Sequence, residues 1–308
     1  MRGEDVVPQP AAAVGICVAA RLARIATHGA GFIGLGLAIM LCGCATAPIT
    51  QSGALASYQD LAPSNGVLAK SLLRIDKDAV LAAKTVRISP AAFSPTAAPA
   101  LSDEQRKLVA NAVNRALCMD LSERFKIVGP GEPADLTTRA VVTQASPTDK
   151  VAAGASKVVS VVPSVLGVPA PVPRLPIGLG SLTIEAEALD QTGRQQAAMV
   201  WARGADSFTN SPTVSSAGDA YELAVAFGGD FGQLLVTGET PFGKPPKLPS
   251  FDKMGSSLGG KPKYAACEMF GRDPGLVGLV ANRLGAPPEW SDKGAPPEQQ
   301  ATETASRQ

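Results

Sequence analysis

The chain has 308 residues, with 28 Lys and Arg against 27 Asp and Glu, a net charge of +1 and a single histidine. That balance excludes the broad basic face of a nucleic-acid binder, and one histidine leaves too few ligands for a His/Cys metal cluster. Aromatic residues make up 5% of the chain and alanine is abundant, so the expected core is thin and built from small side chains.

At the N-terminus, no acidic residue occurs between Val6 and Leu41, and Arg21, Arg24 and His28 precede an apolar stretch of 13 residues, Gly29 to Leu41. A membrane-spanning helix takes about 20 apolar residues, so the pattern reads as a secretory leader over residues 1–43. The leader ends in Leu41-Cys42-Gly43-Cys44, which resembles the lipobox of bacterial lipoproteins. The resemblance implies a diacylglyceryl group on Cys44 Sγ, cleavage between Gly43 and Cys44, and acylation of the new amino group. Ala45, where an Asp would retain the protein at the inner membrane, implies the outer membrane. Two or more acyl chains hold a protein stably on a bilayer, at about 0.8 kcal/mol per buried CH₂. The expected partner is therefore the membrane, held through lipid on Cys44, with the body in the periplasm. An uncleaved anchor, or a Cys42/Cys44 metal or redox pair, fits the length and placement less well.

Cleavage would leave 265 residues without histidine and with 25 charges of each sign. Of the cysteines, Cys118 and Cys267 remain beside Cys44. In an oxidising compartment they read as a disulfide; the alternative is two separate buried thiols acting as small hydrophobes.

Residues 44–60 read as a linker from the anchor to an α+β domain over 61–240. Within it, Val86 and Ile88 alternate with polar neighbours up to Pro90, a strand pattern. Ser102 and Gln105 form a capping box, followed by Leu108, Ala112, Val113, Ala116, Leu117, Leu121 and Phe125 at helical spacing. "FKIVG" and "ADLTTRAVVTQ" read as strands separated by Gly129-Pro130-Gly131. In "SLTIEAEALD", Leu182, Ile184, Ala186 and Ala188 face one way and Thr183, Glu185 and Glu187 the other; a turn at Asp190–Gly193 then leads into "QAAMVWARG". This is an antiparallel hairpin with one apolar and one wet face. A second helix, from about Ala220 to Val236, carries Leu223, Phe227, Phe231 and Leu234, and Gly228-Gly229 predict a kink or break in its middle. The order predicts an α+β fold: a small, mostly antiparallel sheet with two main helices on one face, and disordered ends.

Residues 241–285 read as a linker ending in a short helix with Asp273 at N-cap, Pro274 at N1 and Gly285 as the stop. Residues 286–308 are polar and Pro-rich and predict a disordered tail. Residues 151–180 are apolar, with Lys157 and Arg174 as the charges and five prolines that argue against a continuous helix. They read either as a flap touching lipid or an envelope protein, or as an irregular crossover packed on its own domain.

The lipobox, "SGALASYQDL", one strand–helix unit, "ADLTTRAVVT" and "LTIEAEALDQTGRQQAA" together resemble a family of bacterial lipoproteins known as a domain of unknown function. Ser52, Gly53, Leu55, Tyr58 and Leu61 carry the SG-L-x-x-Y-x-x-L element of that resemblance, which covers roughly Cys44 to Val236. The Pro-rich linker and long C-terminal extension depart from it. The family supplies no catalytic residues to transfer.

Other chemistry finds little support. Gly255–Gly259 matches G-x-S-x-G, which has meaning on a strand-to-helix turn with a histidine partner. Ser250 and Lys253 match S-x-x-K, with Pro246 and Pro249 against the helix it needs. Glu185 and Glu187 share a strand face, yet a glycosidase pair also needs a cleft, and a solvated face is the plainer reading. No catalytic residue, metal or cofactor is expected, and no nucleic-acid partner. The expected function is a non-enzymatic binding or assembly module of the cell envelope, with a lipid carrier or a carboxylate-based hydrolase as alternatives.

Overall fold

In the computed structural model, which describes residues 47–165, 174–243 and 248–295, the hairpin lies at the centre of the sheet. Strands β1 (Ala62–Pro63), β2 (Lys70–Ile75), β3 (Thr85–Ile88), β4 (Ala92–Phe93), β5 (Lys126–Val128), β6 (Leu136–Ser146), β7 (Ser181–Asp190) and β8 (Gln195–Gly204) form one sheet in the order β1-β2-β8-β7-β6-β3-β5, with β4 also beside β6. Pairing is antiparallel from β1 to β6. Beyond β6 it becomes parallel, because β3 reaches β5 through a helix, and parallel neighbours need such a crossover. The α+β architecture is as expected, on a sheet that reaches eight strands.

The helices are α1 (Lys77–Ala82), α2 (Asp103–Leu121), α3 (Lys150–Val165), α4 (Gly218–Thr237), α5 (Phe251–Ser257), α6 (Gly275–Arg283) and α7 (Pro288–Ser291). The capping box starts α2: Ser102 Oγ accepts from Gln105 N at 3.3 Å and Gln105 Oε1 accepts from Ser102 N at 3.2 Å. Leu108, Val113, Leu117 and Leu121 of α2 and Leu223, Phe227, Phe231 and Leu234 of α4 are buried. The main core joins both helices to Leu182, Ile184, Ala186, Met199 and Trp201 on one sheet face. Trp201 meets Phe227 edge-on at 5.7 Å, and its indole N–H donates to Asp230 at 2.7 Å.

α4 is continuous from Gly218 to Thr237, so the expected kink or break at Gly228-Gly229 does not end the helix. A Cβ on Gly228 would stand 2.3 Å from that of Ala116, and one on Gly232 would stand 2.4 Å from that of Asp120. These glycines let α2 and α4 approach closely, and the helix runs unbroken through them. Residues 151–165 also differ from expectation: α3 is helical to Val165, and four of the five prolines of the segment fall past its end.

Residues 248–295 are more ordered than a linker and tail. Cys118 on α2 is bonded to Cys267 in a 3₁₀ turn, Ala265–Phe270, with Cα atoms 5.9 Å apart. Further on, the Asp292 side chain is fully buried against Arg115 and accepts from the Tyr221 hydroxyl at 2.8 Å, so residues 286–295 pack on the domain. The short helix predicted after Asp273 is α6, with Gly285 at φ +77° as its stop, but its N-cap is Pro274 rather than Asp273, which accepts from Gly275 N one residue further out. The leader with Cys42 and Cys44, residues 166–173 of the apolar segment and residues 296–308 of the tail lie outside the described residues.

Candidate functional site: two buried carboxylates under an N-terminal strap

The face of β7 read as wet is dry. Glu185 is 1% exposed and Glu187 0%. The cover is residues 47–61, nearly all within the 44–60 stretch read from sequence as a linker, and it crosses the sheet face away from the helices as a strap. Leu55 packs on Ala198 and Val200, with Ile49, Tyr58, Leu61 and Leu72 around it.

A strap crossing an interior strand has a bonding problem. The backbone of β7 is already paired on both sides, to β6 and to β8, so it can offer no ladder to a third segment. Buried backbone N–H groups left without acceptors are costly. The two glutamates supply the acceptors. Ser52 N donates to Glu185 Oε1 at 2.6 Å and Ala54 N to Glu185 Oε2 at 3.0 Å. Ala56 N donates to Glu187 Oε2 at 2.8 Å. Alternate amides of the strap thus meet alternate side chains of the strand, about 6.8 Å apart on the same face.

Further donors reach both carboxylates. The Tyr58 hydroxyl donates to Glu185 Oε2 and accepts from Gly53 N at 2.7 Å and Leu55 N at 3.3 Å. Gln195 Nε2 donates to Glu187 Oε2 at 2.7 Å and to the Ser57 carbonyl at 3.0 Å. Arg139, directly opposite Glu187 in the β6–β7 register, pairs with its Oε1 and also reaches the Ala54 carbonyl at 3.2 Å. Each carboxylate receives three donors, and bonds to an ionised acceptor are the stronger kind. Burial, and then the hydrogen bond to Glu185, push the Tyr58 phenol up from its ordinary range. Gly53 takes φ +87°, a left-handed conformation that favours glycine.

The SG-L-x-x-Y-x-x-L element is therefore a docking sequence. Its glycine turns the chain, Leu55 and Leu61 fill the apolar patch, and Tyr58 locks onto Glu185. Arg139 and Gln195 belong to the same site and were missed in the sequence reading. The signal for Arg139 was its place in a strand beside one carrying alternate glutamates.

The other sequence candidates resolve differently. Cys118 and Cys267 are the disulfide. Ser250 caps α5, accepting from Lys253 N at 3.2 Å, so the helix that Pro246 and Pro249 argued against exists. The Lys253 ammonium, however, is paired with Asp120 at 2.5 Å rather than with Ser250. Gly255–Gly259 spans the end of that helix and is no strand-to-helix elbow. Among the described residues no group of three or more His, Cys, Asp or Glu side chains could hold a metal ion, and no helix is long and apolar enough to cross a membrane.

A family model described as "Protein of unknown function (DUF3313)" matches residues 50–231, a stretch that holds the strap from Thr50 onward, both glutamates, Arg139 and Gln195. No curated protein matches the chain. Among solved structures, the chain is similar to a dodecamer of a PelC point variant from Paraburkholderia phytofirmans, at 9% identity and a TM-score of 0.33, over 56% of this chain and 100% of that one. A second PelC dodecamer from the same organism matches at 9% identity and a TM-score of 0.32, over 55% and 98%.

Proposed function

This chain belongs to the Protein of unknown function (DUF3313) family, and from that premise we propose that it is a lipid-anchored lipoprotein of the outer membrane, facing the periplasm. It acts as a non-enzymatic binding or assembly module of the envelope, held by acyl chains on Cys44, with residues 151–180 contributing to partner contacts. The observation that carries this reading is the strap. The polypeptide next to the lipobox is seated on the domain by hydrogen bonds to Glu185, Glu187, Arg139 and Gln195, and by one from the Thr183 hydroxyl to the Pro48 carbonyl. Such a seat gives a tether at Cys44 a short, stiff connection to the body instead of a loose one.

The same contacts speak against the hydrolase alternative. A general acid or base must offer a lone pair or a proton to substrate, and both carboxylates are enclosed and committed to the strap. Density-gradient separation of inner and outer membranes tests the anchor. The parent protein is expected in the outer-membrane fraction and the Cys44→Ser variant absent from it; a variant found there at parental levels would overturn the reading.

A further inference from the structure

Three loops leave the sheet at one end. β6 stops at Ser146, β7 starts at Ser181 and β8 stops at Gly204, and these three residues are paired in register. Backbone bonds tie the loops into a platform: Thr148 N to the Ser216 carbonyl, Asp149 N to that of Gly178 and Ala205 N to that of Gly180, each 2.9 Å, and Arg174 N to that of Ser207 at 2.8 Å. Beneath it, Arg174 is paired with Asp219 through both terminal nitrogens, at 2.5 and 3.1 Å, with the two side chains buried. On this braced platform sit Val151, 83% exposed, Ile177, 57%, and Phe208, 76%. Leu284, 73% exposed, is brought to the same loops by the bond from Val214 N to the Gly285 carbonyl. Single exposed apolar residues need no explanation, but these stand on loops bonded to one another, and exposed apolar residues brought together in this way mark a candidate interaction site.

The course of the strap says what covers it. Pro48 lies level with Thr183, Ser52 with Glu185 and Ala56 with Glu187. Followed from Ala56 back to Pro48, the strap therefore runs toward the Ser181 end of β7, the end that carries the platform. Cys44 is four residues upstream of Pro48, at most about 14 Å away along a fully extended chain.

We propose that this loop platform, through Val151, Ile177 and Phe208, rests in the surface of the bilayer that holds the Cys44 acyl chains. The proposal rests on the lipoprotein reading above, and the partner is the lipid itself. Acyl chains fix the protein to the membrane but not its orientation; apolar side chains on a rigid platform beside the tether would fix both.

The test uses the full acylated protein reconstituted in phosphatidylethanolamine/phosphatidylglycerol vesicles, with and without brominated acyl chains. In a Trp290→Phe background, which leaves the buried Trp201, a Phe208→Trp variant is compared with Gln191→Trp in the turn at the far end of the hairpin. Emission from residue 208 is expected to shift to the blue on reconstitution and to be quenched by bromine, and that from residue 191 to do neither. Quenching at 208 no deeper than at 191, in protein that floats with the vesicles, would overturn the orientation and leave the anchor standing. Protein that fails to float would overturn the anchor and the orientation with it.

Discussion

Replacing Glu185 by glutamine removes one charge and one acceptor oxygen from beneath the strap. With its single oxygen in the Oε2 position, the amide keeps Ala54 N and the Tyr58 hydroxyl and turns an N–H₂ group toward Ser52 N, which loses its partner. A hydrogen bond to an ionised group contributes about 1.5–3 kcal/mol and a neutral one about 1. One lost charged bond and two weakened ones add to a cost of about 2.5–7 kcal/mol, or about a hundredfold at the low end in the opening equilibrium of the strap. The helix-side core does not touch this site, so the opening should be local. Amide hydrogen exchange reads it directly: protection at Ala54 and Ala56 should fall by at least that factor, while amides of α2 and α4 keep parental rates. Tyr58→Phe, which removes one donor to Glu185, should give a smaller loss at the same amides. Unchanged exchange at Ala54 and Ala56 in Glu185→Gln would refute the claim that the carboxylates hold the strap.

The neighbouring glycines of α4 should respond oppositely to alanine. Gly228→Ala drives a Cβ to 2.3 Å from Ala116, whereas Gly229→Ala meets nothing within 4 Å; chemical denaturation should show a loss of about 1–3 kcal/mol for the first and a gain of up to about 1 kcal/mol for the second. Burial pushes Asp230 up to about 6 even though the Trp201 N–H opposes this. The folded state therefore binds the extra proton between about pH 4 and pH 6, and this residue's contribution to stability falls as pH rises through that window. Asp230→Asn should flatten that segment of the stability–pH curve and raise stability at pH 7 by up to about 3 kcal/mol; an unaltered slope would contradict the assignment. Reduction of Cys118–Cys267, which closes a loop of 149 residues, should cost about 2–5 kcal/mol and raise exchange in the 3₁₀ turn and α6 before α2.

Elements that carry their own local rule were legible in the sequence. The capping box, the β7–β8 hairpin and the short helix before Gly285 each depend on neighbours within a few residues, and each lies where spacing places it, the last starting one residue later than Asp273 at N-cap implied. What was illegible depends on contacts far along the chain. Glu185 and Glu187 look like a solvated stripe because alternation marks two faces without saying what covers the second, and their cover comes from residues more than 130 positions earlier. Gly228 looks like a helix breaker until Ala116 is seen against it. Residues 286–295 look disordered until Asp292 meets Arg115. The strap element was recognisable as a motif, and its role became readable when its amides were found on carboxylates.

The proposed function rests on lipid at Cys44, and intact-mass analysis of the protein isolated from the cells that make it addresses that directly. The predicted mass is that of a chain beginning at Cys44 and increased by a diacylglyceryl group and an N-linked acyl chain. A chain that keeps residues 1–43, or one that begins at Cys44 without added lipid, would contradict it.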